Sequence, residues 1–186
     1  MRMAAALATF AILLGTSAVA QDAVIDAEGY RSARYRAPVT VDPRPASRIA
    51  LPAAIELAQQ GGALFIDVMP AEGGVRDPAT GRWRLSIEHE TIPGAAWHPE
   101  AGRSPVDPAL WHGLEHAVAN ARKRHPARPV VVFCRADCWM SWNAARRLAS
   151  RGVSGVWWLS EGTDGWHAAE LRLVPARPVS IPRQQP

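Results

Sequence analysis

Cys134 and Cys138 are the only thiols of the 186-residue chain, and they stand four residues apart. Val130 to Phe133 is a run of apolar, mostly β-branched residues that leads straight into Cys134. Such a run reads as a buried strand, and the segment after Cys138 has helical character. Both sulfurs are therefore expected in a short loop between a strand end and a helix N-terminus. Unpaired N–H groups and a partial positive charge gather at that end of a helix. A thiolate placed there is stabilised, and its pKa falls. The chemistry open to such a pair is thiol–disulfide exchange, sulfur transfer, or capture of a soft ion such as Cu(I). A plain disulfide staple across so short a loop adds only about 2 kcal/mol by chain entropy, and a domain of this length does not need one.

The elements that must position the loop follow in order. Residues 52–59 read as a short helix, with Pro52 in its first turn and Gly61-Gly62 at its end. Residues 63–68 are a strand, apolar until Asp67. Residues 70–91 form a long insertion rich in turn signals, with an alternating arm at 82–87. Residues 92–97 read as a turn and a short edge strand. The clearest helix is 108–123, with Asp107 as N-cap and an apolar face of Leu110, Leu114, Val118 and Ala121. After the cysteine loop, a helix is expected over 141–150, stopped by Gly152. A strand at 153–159 follows, then a loop and short helix at 161–167. Strand and helix alternate, so the class is α/β with a mainly parallel sheet. Ligands bind at the C-terminal strand ends of such sheets, where Cys134 and Asp67 both lie.

Outside this domain, residues 1–20 read as a secretory signal peptide: Arg2, an apolar stretch to Leu14, and small residues before Gln21. Residues 21–47 read as an extended arm packed loosely on a domain spanning 48–175, and 176–186 as a proline-rich tail. The formal charge of +4 becomes +3 without Arg2, too small and dispersed for a nucleic-acid partner. No membrane association is expected once the signal is cleaved. Export to an oxidising compartment such as the periplasm would expose the two thiols to disulfide oxidants.

At this point the chain resembles the rhodanese-like family. LFIDV at 64–68, IPGA at 92–95, VVVFCR at 130–135 and GTDGW at 162–166 carry the likeness in order and spacing. The resemblance implies a doubly wound sheet with helices on both faces. Its active loop would cradle a cysteine persulfide with backbone N–H groups, and Cys134 stands in the nucleophile's place. Three features depart from the family's loop. An aspartate, Asp137, stands where glycine is usual; a second cysteine and a tryptophan follow; and the loop is one residue longer. The C-x-x-x-C-W pattern is similar to a narrower group of exported proteins associated with PQQ-dependent alcohol catabolism. That likeness implies a periplasmic quinoprotein dehydrogenase, or its cytochrome, as partner.

Within this frame Cys134 is expected to attack as the thiolate, its pKa lowered by the helix end and Arg135, and Cys138 to resolve the mixed disulfide or persulfide. Arg135 would hold an anion at the mouth. Asp67 would orient the loop through backbone N–H groups, and Asp137 would oppose an anionic substrate if it faced inward. Trp139, with Asp137 and Asp67, marks the surface where a cofactor such as PQQ would bind, its indole stacking on a flat ring. A copper-delivery role would recruit Met140, His98 or His167 as a third ligand. No residue is assigned to a metal outright. His112 and His116 are four apart on the 108–123 helix but read as a solvated face, and His89 and His125 as surface.

Overall fold

The computed structural model describes residues 24–123 and 125–181. In chain order its elements are β1 (Ser47–Arg48), α1 (Leu51–Gln59), β2 (Leu64–Asp67), β3 (Val75–Arg76), β4 (Trp83–Arg84), β5 (His89–Thr91), β6 (Ala96–Trp97), α2 (Pro108–Arg122), β7 (Val130–Phe133), α3 (Trp139–Ser150), β8 (Val156–Leu159), α4 (Gly162–Ala168) and β9 (Val174–Ala176). The expected signal peptide lies outside the described residues. Among those residues, no helix is long and apolar enough to cross a membrane.

Val130 to Phe133 is wholly buried because β7 sits in the middle of a five-stranded sheet, in the order β1-β8-β7-β2-β6. Every pairing in that sheet is parallel. A parallel sheet needs both faces covered, and apolar residues on successive positions supply both. Val130 and Val132 join Ile66, Val156 and Trp158 under α2 and α3. Val131 and Phe133 join Phe65 and Leu159 under α1 and α4. The fold is thus the doubly wound α/β arrangement expected, with helices on both faces.

The register puts Asp67 beside both Trp97 and Phe133, and Phe133 beside Leu159. One row of residues therefore ends the sheet, and Val68, His98, Cys134 and Ser160 form its C-terminal lip. The two-residue alternation also fixes where Cys134 points. It follows Val130 and Val132 to the α2/α3 side and belongs to that core cluster. The turn that delivers β6 to this row runs from Ile92 to Ala95, closed by an N–H···O bond of 3.0 Å, with Pro93 followed by Gly94 at φ 82°. That left-handed position suits glycine.

Several boundaries differ from expectation. The helix after the cysteines begins at Trp139 rather than Ser141, which makes Cys138 its N-cap. The strand expected from Val153 begins at Val156, after a bend at Ser154 and Gly155. Within the insertion, Trp83 and Arg84 pair with Arg76 and Val75 in a small hairpin. Of the residues expected as a tail, 176–181 are described, and they are tied down. β9 pairs antiparallel with β5, Pro178 bridges Trp97, and the Ile181 carbonyl accepts from Arg76 at 2.6 Å.

The arm is not loose. Arg31 N–H donates to Asn143 Oδ1 at 3.0 Å, and Asn143 Nδ2 donates back to the Arg31 carbonyl at 2.8 Å. Trp142 Nε1 donates to the Val41 carbonyl at 2.8 Å. Tyr35 accepts the Ser104 N–H at 2.9 Å through its hydroxyl. These partners all lie on or beside α3, so the arm is bound to the helix that follows the cysteines.

Candidate active site

The cysteine loop is held from two sides. From α4, Thr163 donates its N–H to the Cys134 carbonyl at 2.9 Å, and its hydroxyl reaches the same oxygen at 3.3 Å. Gly162 bridges Arg135, and a Cβ on Gly162 would stand 2.3 Å from the Cys134 carbonyl oxygen, so only glycine allows this approach. The Asp164 carboxylate accepts the Ala136 N–H at 3.2 Å and lies 3.9 Å from Arg135 Nε. From the arm, Ala37 donates to the Asp137 carbonyl at 3.0 Å, and the Tyr35 carbonyl accepts the Trp139 N–H at 2.8 Å. Arg36 pairs backbone to backbone with Cys138 and sends Nη1 to the Ala136 carbonyl at 3.0 Å. Asp137 takes φ 52°, the left-handed conformation that glycine favours and aspartate tolerates. The aspartate thus fills a glycine-like position, and its side chain is exposed.

Both cysteines are free thiols, buried and different in setting. Cys134 has no exposed surface. Its sulfur lies 3.2 Å from Ser141 Oγ and 3.5 Å from the Cys138 carbonyl. Burial, aided by the neighbouring Cys138, pushes its pKa well above the usual thiol range. Cys138 is 3 % exposed and lines a groove of about 740 Å³. Its pKa is lowered to about 7. The hydrogen bond from the Cys134 thiol is the largest cause, against the opposing effect of burial, and the N–H of Met140, the Arg36 charge and the N–H of Arg135 add to it. The sequence places the lowered pKa on Cys134; here burial raises Cys134, and the lowered thiol is Cys138. Cys138 is the acidic thiol at the helix end and faces the groove; Cys134 lies behind it, turned into the core by the strand's alternation.

The rhodanese-like domain family model matches residues 52–169, well over half of the chain. The chain belongs to the rhodanese-like family. Among solved structures it is similar to the polysulfide-sulfur transferase homodimer of Wolinella succinogenes, at 18% identity, 69% of this chain, 78% of that chain and a TM-score of 0.44. It is similar to a thiosulfate sulfurtransferase of Pseudomonas aeruginosa at 18% identity, 76% of this chain and a TM-score of 0.49, but covers only 22% of that longer chain. A 3-mercaptopyruvate sulfotransferase of Escherichia coli follows at 15% identity, 64% of this chain, 43% of that chain and a TM-score of 0.39. No curated protein matches the sequence.

The other expected residues of this rhodanese-like site fall in different places. Arg135 borders the groove as expected for a residue at the mouth, with its guanidinium leaning towards Asp164. Asp67 is fully buried and does not orient the cysteine loop. It accepts the Met69 N–H at 2.8 Å, His89 Nε2 at 2.7 Å and the Thr91 hydroxyl at 2.6 Å, and so ties β5 to the end of β2. The loop-capping role assigned to it falls to Asp164. Trp139 is 8 % exposed; Arg31 sits 4.9 Å above its ring and Trp142 packs 5.2 Å away. Its face is occupied by the chain itself, which removes the stacking platform expected for a flat cofactor. His89 is not a surface residue: besides Asp67 it touches Trp97, with ring centroids 4.0 Å apart. His167 is exposed on α4, while His98 is buried with both ring nitrogens unpartnered. Among the described residues no group of three His, Cys, Asp or Glu side chains is placed to hold a metal ion.

Three contributors escaped the sequence. Arg36 and Tyr35 reach the loop from about a hundred positions away, and nothing local marks them. Asn143 carried a readable signal, an amide on the helix face that also bears the buried Trp139 and Met140. Its burial demands partners, which the arm and the Gly102 carbonyl at 2.9 Å provide.

Proposed function

We propose that this rhodanese-like protein handles sulfur at Cys138, with Cys134 as the resolving thiol, and works in the periplasm as an accessory to PQQ-dependent alcohol oxidation. One observation carries the reading of the site: Cys138, and not the wholly buried Cys134, lines the groove, at the helix start and paired backbone to backbone with Arg36. The Cys138 thiolate attacks the sulfane sulfur of a donor R–S–SH. The S–S bond of the donor breaks, R–S⁻ leaves and takes a proton, and Cys138 becomes a persulfide. Cys134, deprotonated as it reacts, then attacks the inner sulfur of that persulfide. Hydrosulfide leaves, and a Cys134–Cys138 disulfide remains. An external dithiol returns both cysteines to thiols by exchange, becoming a disulfide itself.

The cellular setting rests on separate features. The signal-like residues 1–20 support export, and the C-x-x-x-C-W loop supports the quinoprotein link. A quinoprotein dehydrogenase or its cytochrome is the partner this reading names. The test is mass spectrometry of the intact protein after treatment with a persulfide donor. One added sulfur on Cys138 in the Cys134→Ser protein, and an internal disulfide in the unaltered protein, is the expected pair of results. Sulfur added to Cys134 in the Cys138→Ser protein at the unaltered rate would overturn the assignment.

A further inference from the structure

The groove over Cys138 has a wall that lies outside the family match. That match begins at residue 52. Arg34, Tyr35 and Arg36, from the arm, border the groove opposite the insertion at residues 70–74. The backbone pairing of Arg36 with Cys138 fixes this wall against the reactive thiol. The arm is further anchored by Asn143 and by the Trp142–Val41 bond, so the wall is built rather than adventitious.

The charges in the groove are unequal. Arg103 is paired with Glu100, and Arg135 stands near Asp164. Among the described residues, Arg34 and Arg36 form no ion pair with a carboxylate, and Glu72 is the remaining acid on the border. Arg36 already bonds the Ala136 carbonyl through Nη1 and acts electrostatically on Cys138, so its charge lies near the sulfur. Arg34 is exposed further along the wall and holds φ 49°. A cleft of about 740 Å³ is in the range that takes whole organic ligands, whereas a small inorganic anion fills little of it. Two arginines spaced along one wall suit a ligand with more than one anionic group.

We propose that the N-terminal arm is the substrate-binding wall of this site, with Arg34 and Arg36 holding the carboxylates of an organic persulfide of small-peptide size whose outer sulfur faces Cys138. This rests on the sulfur-handling reading of Cys138 and deepens it. The transfer step is the one given above: Cys138 takes the outer sulfur, and the carboxylate-bearing thiol leaves.

The test uses the full protein and three donors, glutathione persulfide, cysteamine persulfide and thiosulfate. Glutathione persulfide is expected to exceed each of the others in kcat/KM by about tenfold or more. Arg34→Glu is expected to raise KM for glutathione persulfide by about tenfold, with little change for cysteamine persulfide, and Arg34→Lys to restore most of the loss. Thiosulfate matching glutathione persulfide, or an Arg34→Glu effect equal for both persulfides, would overturn the substrate assignment while leaving Cys138 chemistry standing. Transfer from none of the donors, with Cys138 still open to alkylation, would overturn both.

Discussion

α2 and α3 start in opposite ways. α2 opens with Asp107, whose carboxylate accepts the N–H of Ala109 at 2.7 Å and of Leu110 at 3.4 Å, followed by Pro108 in the first turn. Every component lies within four residues. α3 opens with Cys138, which makes no such cap. The N–H of Trp139 is taken by the Tyr35 carbonyl at 2.8 Å. The start of α2 satisfies its own amides with a carboxylate oxygen, which serves stability alone. The start of α3 places a thiol where a capping oxygen would stand and gets its mechanical support from a distant segment. The difference separates a scaffold terminus from a reactive one.

The sharpest break of that contrast is Cys138→Ser. The hydroxyl is a good capping group, so stability is expected to hold or rise, while sulfur loading drops to background. Retained loading, read by intact mass, would show that the reactive terminus lies elsewhere.

The pH window of the scaffold differs from that of the thiol and must be kept apart from it. His98 is buried neutral, its pKa lowered by desolvation from 6.5 to about 4. The unfolded chain takes up this proton at 6.5 and the folded chain does not until about 4. Stability is therefore full above pH 6.5 and falls by about 3 kcal/mol on descent to pH 4. Denaturant unfolding across that range checks it, and His98→Phe should flatten the slope. Because the Cys138 pKa is lowered only to about 7, its ionisation is expected above this window.

Asn143→Ala removes the arm's clamp and leaves the half-buried Arg31 amide and carbonyl short of a partner. A loss of about 2 kcal/mol is expected, with faster alkylation of Cys138 as the arm lifts. Unchanged alkylation would mean that the arm does not shield the thiol. The smallest effect belongs to the scaffold terminus. Asp107→Ala should cost about 1 kcal/mol in denaturant unfolding and leave Cys138 reactivity untouched.

The same contrast explains what the sequence revealed. Val130 to Phe133, the Asp107-Pro108 start and the Ile92 to Ala95 turn were legible because each is set by neighbours along the chain. The doubly wound sheet followed from their alternation and from the family likeness. The different settings of the two cysteines were not legible. Which sulfur faces outward depends on the two-residue alternation past Phe133 and on where α3 begins. That start depends on Tyr35 and Arg36, about a hundred residues upstream. Asp67 was noticed, but its partners His89 and Thr91 come from an insertion strand whose pairing with β9 no local pattern announced.

The most direct test of the central claim is the rate of thiol alkylation against pH, with each cysteine followed separately by peptide mapping. Cys138 is expected to react first, with a midpoint near pH 7, and Cys134 only at much higher pH or after unfolding. Alkylation of Cys134 first, with Cys138 unreactive near neutral pH, would contradict the account.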